Sequence, residues 1–164
     1  MFEEFLGLPA HPLLVHGAVV FVPLLVLAAI AYAAVPFTRR YIWWAALALA
    51  VVAPVAAWAA RLSGLAFRDR LIRNGAKDPA FLANIDQHMN YGTWTAYLST
   101  ALGVLTLLLV LVLVKRPVNG QVAAAGSPVV TIISAVVVIA VAAATAYYVF
   151  RTGDTGAHIV WSGQ

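Results

Sequence analysis

Hydrophobic residues gather into four long runs along this chain, 13–35, 42–60, 93–114 and 129–150, and every Asp, Glu, Lys and Arg lies outside them. Each run is roughly 20 residues, enough for a helix rising 1.5 Å per residue to cross a hydrocarbon layer of about 30 Å. A membrane barrel strand instead alternates polar and apolar positions over about 10 residues. These runs do not alternate, so helices are the way this backbone satisfies itself in lipid. The pattern predicts an all-α integral membrane protein. It has four transmembrane helices in a single domain, 1–164, with a partly helical extracytoplasmic loop between the second and third.

Local signals refine the elements. Residues 1–12 read as a short amphipathic lead-in, with Pro12 at a first-turn position that needs no N–H. Pro23 and Pro54 fall inside spans and predict kinks. Ala46, Ala50, Ala53 and Ala57 form one smooth stripe on the second span; Ala96, Ser99, Gly103 and Thr106 do so on the third. Trp43 and Trp44 stand where interfacial anchors stand. The stretch 61–92 is too long for a bare connection. It reads as two short amphipathic helices: one over 64–74, the other capped by Asp78, followed by Pro79, and leading into the third span. A flexible link over 117–127 precedes Ser127-Pro128, a cap and first-turn pair for the fourth span. The Gly-punctuated segment 151–164 reads as a tail in which Asp154 staples a tight turn.

Composition agrees. The chain is 63% hydrophobic with a mean hydropathy of +0.92, against about 45–50% apolar in soluble domains. An acidic N-terminus (Glu3, Glu4) and a long first run argue against a cleavable signal. With no cysteine, thiolate ligands, iron–sulfur clusters and covalently attached haem are excluded. The net charge of +4 is scattered over both faces with no basic stripe, so nucleic acid is not a partner. Arg39 and Arg40 follow the first span, Lys115 and Arg116 the third, and neither turn holds an acid. The positive-inside rule then places both termini outside a bacterial cell membrane, although the opposite face carries Arg61, Arg68, Arg70, Arg73, Lys77 and Arg151.

Four crossings bring His11, His16, His88 and His158 to one face, together with all six acids. A bis-histidine haem b needs two imidazoles facing each other between helices. His16 and His88 fit that by depth, with Tyr91, Trp94 and Tyr97 as walls and His11 as a chelating neighbour if it precedes the helix. His16 and His11 are about 140° apart on a regular helix. A copper or zinc ion would use the same histidines at closer spacing. Equally, the histidines are read as interfacial hydrogen-bonders of a cofactor-free accessory subunit. Asp86 stands about 200° around the helix from His88 and cannot orient its ring. No hydrolytic or phosphate-binding constellation is present, and the spans hold no Lys, Arg, Asp or Glu such as ion-coupled transporters carry. The expected partners are the bilayer and a redox membrane complex or a further copy of the chain. Only a faint internal echo appears, two hairpins that each begin with a histidine.

Several segments resemble a bacterial membrane family, domain of unknown function 2231, in its actinobacterial branch. They are Gly7-Leu8-Pro9-Ala10-His11-Pro12-Leu13-Leu14-Val15-His16 with Phe21-Val22-Pro23-Leu24, Ser63-Gly64, His88, and Thr152-Gly153-Asp154-Thr155-Gly156-Ala157 followed by Val160-Trp161. The resemblance covers nearly the whole chain. It implies a four-helix membrane protein and, through relatives fused to Rieske-type or cytochrome-like modules, electron transfer or haem binding. Leu65 stands where relatives often carry an acid, and His158 where they often carry a basic residue.

Overall fold

The computed structural model describes residues 4, 5, 7–113, 117, 118, 121, 122 and 127–161. Four helices dominate: α1 (Ala10–Ala34), α2 (Arg39–Arg73), α3 (Pro79–Leu113) and α4 (Pro128–Trp161). Each is long and apolar enough to cross a membrane. Successive helices pack side by side, α4 closes against α1, and α1 faces α3 across the diagonal. The lead-in is a two-residue hairpin, β1 (Glu4–Phe5) on β2 (Leu8–Pro9), turned at Gly7 with φ +79°. Helix α1 then begins at Ala10, so Pro12 falls within the first turn, where its absent N–H costs nothing. A second two-residue pair, β3 (Pro117–Val118) on β4 (Gln121–Val122), occurs within the expected link. The rest of that link up to residue 126, with Glu3, Lys115 and Arg116, lies outside the described residues.

Two expectations are corrected. The segment 64–74 is no separate helix, because α2 runs unbroken through it to Arg73. The 13 residues beyond the apolar run carry α2 about 20 Å past it at 1.5 Å each. It stops in a Schellman motif: Gly75 takes φ +98°, its N–H bonds the Ile72 carbonyl, and the Ala76 N–H bonds that of Leu71. Asp78 then caps α3 through Ala80 N–H, as its position predicted. The Gly-punctuated tail is likewise helix, as α4 runs through Gly153 and Gly156 to Trp161. Local glycine preference is overridden there by packing against α3.

The core is made of the stripes. Ala46, Ala50, Ala53 and Ala57 are buried on α2, and Ala96, Ser99, Leu102 and Thr106 on α3. Val22, Leu25, Ala29 and Tyr32 fill it from α1, and Val138, Ala142 and Thr145 from α4. Closest approach comes at Gly103, where a Cβ would strike the Ala50 carbonyl oxygen and sit 3.1 Å from the Pro54 ring. Pro54 has no N–H to give Ala50, so that carbonyl is left over, and only a glycine lets α3 lie against it. Val51, Val55, Leu108, Ile132 and Val136 point outward, an arrangement suited to lipid. At the opposite end Arg39 covers the last carbonyls of α1, donating to Tyr32 (2.8 Å) and Ala33 (2.9 Å).

Candidate bis-histidine site

The start of α1, the end of α2, the start of α3 and the end of α4 meet at one end of the bundle. Ion pairs tie them at the rim: Arg70 to Glu4 and Arg68 to Asp86, each at 2.7 Å. Just inside the rim, His11 of α1 and His88 of α3 reach toward each other across the diagonal. Their ring centres stand 6.3 Å apart at an interplanar angle of 75°.

Each ring rests in a seat built by the helix that follows it. His11 lies on Gly64, where a Cβ would come within 3.1 Å of its Cε1. His88 lies on Gly156, where a Cβ would come within 2.9 Å of the same atom. The residue before each glycine is a hydroxyl. Ser63 Oγ is 3.1 Å from His11 Nδ1, and Thr155 Oγ1 is 3.2 Å from His88 Nδ1. The two hairpins thus present the same device twice, a histidine on the first helix and a hydroxyl–glycine pair on the second. The faint echo in the sequence is a pseudo-two-fold arrangement here. Phe67 stacks on His11, with centres 6.0 Å apart, and Ile85 is buried one turn before His88.

The hydrogen bonds choose a tautomer. Ala60 carbonyl lies 3.1 Å from His11 Nδ1, and a carbonyl only accepts, so Nδ1 carries the proton. Ser63 hydroxyl donates to that same carbonyl at 2.9 Å and can accept from the ring. Thr155 hydroxyl donates to Arg151 carbonyl at 2.7 Å, which leaves its oxygen to accept from His88 Nδ1. In the neutral form both rings therefore keep an unprotonated Nε2. This is how histidines are prepared for ligation, with one nitrogen held by the protein and the other available.

The expected pairing of His16 with His88 is not what the fold assembles. Because α1 already includes His11, the five-residue separation keeps its full rotation. His16 turns to the exposed side with Val20, Leu24 and Leu27, and its Nδ1 donates to the Pro12 carbonyl at 2.6 Å. His158 is 77% exposed and faces Asp154 at 3.6 Å. Asp154 makes no tight turn; it meets Arg151 at 3.5 Å from within α4. Trp94 and Tyr97 do not wall the pair. They point outward in a ladder of rings, Trp58–Tyr97–Trp94–Tyr148–Tyr91, with centres 5.3–6.5 Å apart. Asp86 binds Arg68, in keeping with its position on the helix.

Ser63, Gly64, Thr155 and Gly156 as ring seats were not read from the sequence. Their signal was a hydroxyl followed by glycine near the end of the second helix of each hairpin. Among the described residues, no group of three or more His, Asp or Glu side chains converges on a point. The site is a two-imidazole site.

No curated protein and no solved structure matches the chain. A family profile does, over residues 7–164, including both seats and both histidines. The chain belongs to that family, described as a predicted membrane protein, DUF2231.

Proposed function

We propose that this protein is a small electron-transfer subunit of the bacterial cell membrane that holds haem b between His11 and His88. One observation carries the reading, the spacing of the two rings. A metal–nitrogen bond of about 2.0 Å and about 1.1 Å from nitrogen to ring centre, taken twice, would let two imidazoles that share one metal stand up to roughly 6.2 Å apart. The rings stand at 6.3 Å. Two ligands at a tetrahedral angle would stand roughly 5 Å apart, and a protein zinc site draws on three or four ligands. Haem iron, for which two imidazoles are enough, suits the pair better, and His11 and His88 would be the residues to hold it.

Bound there, haem b would supply a one-electron iron couple. The chain's own part is to present both Nε2 atoms. Ala60 and Ser63 hold His11 by its Nδ1, and Thr155 holds His88. The glycine seats let each ring lie flush with the neighbouring helix. This reading places the histidine end on the extracytoplasmic side, with both termini, and Arg39 and Arg40 in the cytoplasm. Electrons would pass to or from a membrane redox complex at that end.

The test is spectroscopic. Wild type, His11→Ala, His88→Ala and His16→Ala are purified in detergent and titrated with hemin. Wild type and His16→Ala are expected to show the Soret and visible bands of a six-coordinate low-spin haem; the other two variants lose them. No band in wild type, or loss in His16→Ala alone, overturns the reading. One copper or zinc per chain, lost in His11→Ala and His88→Ala, would reassign the pair to an ion. Assembly with a partner and that partner's activity, both unchanged in all three variants, would favour the cofactor-free accessory subunit.

A further inference from the structure

Along the outer face of the α2–α3 seam runs an apolar groove of about 360 Å³, lined by Pro54, Val55, Trp58, Ala59, Leu62 and Thr100. Its few polar atoms are already used. Trp58 Nε1–H donates to Thr100 Oγ1 at 3.0 Å, and that hydroxyl donates to the Ala96 carbonyl at 2.8 Å. An occupant of this stretch therefore has nothing to hydrogen-bond, and a hydrocarbon chain suits it. Val55 and Leu62 are exposed, so the groove opens toward the membrane rather than into the bundle.

A cation stands at its outer end. Arg61 precedes Leu62 and lies one turn beyond Trp58. Its Nε donates to Thr93 Oγ1 at 2.6 Å, which holds the guanidinium over the seam. Its side chain as a whole is half-buried, and no carboxylate among the described residues pairs with it. Among the described residues, Arg68, Arg70 and Arg151 pair with carboxylates at this end of the bundle. Trp58, Tyr97 and Trp94 beside the groove are the ring types that settle at headgroup depth. From Arg61 to Pro54 is seven residues, about 10 Å of groove below the charge.

We infer that this seam is a specific site for one anionic phospholipid. An acyl chain lies in the groove from Leu62 to Pro54, and the phosphodiester pairs with the Arg61 guanidinium. The two halves of the ligand answer two independent features, a dry apolar channel and a cation fixed by Thr93 with no carboxylate pair among the described residues. The site is separate from the histidine pair and does not depend on its cofactor.

Native mass spectrometry of the detergent-purified full chain tests it, with phosphatidylglycerol and phosphatidylcholine supplied in equal amounts. Wild type is expected to retain one phospholipid with about a five-fold preference for phosphatidylglycerol, the factor one basic residue gains at anionic lipid. Arg61→Gln should remove the preference, while Arg40→Gln at the opposite end leaves it unchanged. Ala59→Leu, which fills the groove, should remove the retained lipid at unchanged helical circular dichroism. Retention without headgroup preference, an Arg61→Gln protein that behaves as wild type, or undiminished retention in Ala59→Leu overturns the inference. So does a co-purified fatty acid in place of the phospholipid.

Discussion

Gly103→Ala tests how the bundle is held together in a way that intrinsic helix preference cannot imitate. In an open helix, alanine is favoured over glycine by about 1 kcal/mol. At Gly103 the added methyl would meet the Ala50 carbonyl oxygen and the Pro54 ring. The carbonyl is backbone, inside a helix that already lacks one hydrogen bond at Pro54, and cannot step aside without moving α2. Overpacking of this kind costs about 1–3 kcal/mol, and a backbone collision belongs near the upper end. Subtracting the propensity gain leaves a net loss of roughly 2 kcal/mol. Gly153 is the matched control: it lies inside α4, and nothing stands within 4 Å of the position of its Cβ. Gly153→Ala should gain about 1 kcal/mol, so the two variants should differ by roughly 3 kcal/mol. Reversible unfolding in mixed micelles, followed by circular dichroism, gives both values. If Gly103→Ala matched Gly153→Ala, the close α2–α3 crossing would be refuted, and with it the assigned purpose of the small-residue stripes.

Two further outcomes follow from named contacts. Gly64→Ala and Gly156→Ala each push a methyl against an imidazole, so hemin affinity should fall by at least about ten-fold while helicity persists; equal affinity in both would refute the seats. Arg39→Gln removes a charged cover from the last carbonyls of α1 and should cost about 1–2 kcal/mol in the same unfolding assay, whereas exchanging the exposed Arg68–Asp86 pair for Gln and Asn should cost less than about 1 kcal/mol; the reverse order would show that the rim, and not the α1–α2 turn, secures the fold.

Much of this protein was legible one residue at a time. Four apolar runs of membrane length require four helices, because no other open structure satisfies the backbone in lipid. Asp78 before Pro79 marked the start of α3, and the alanines at 46, 50, 53 and 57 marked the buried face of α2. These are local signals, and burial reinforced them. The rotation of α1 was not local. That helix is apolar on every side, so its pattern does not say which side turns inward. Packing of Ala18, Val22, Leu25, Ala29 and Tyr32 into the bundle set it, carrying His11 inward and His16 out. Likewise, Gly153 and Gly156 read as a turn by their own preferences. The long α3 beside them supplies enough side-chain contact to keep α4 helical, and the second glycine then becomes a seat for His88. Length and apolarity determined the element count and the end of the bundle where the imidazoles gather. Only the assembled bundle decided which two meet, because that choice depends on helix rotation and on side chains contributed by other helices.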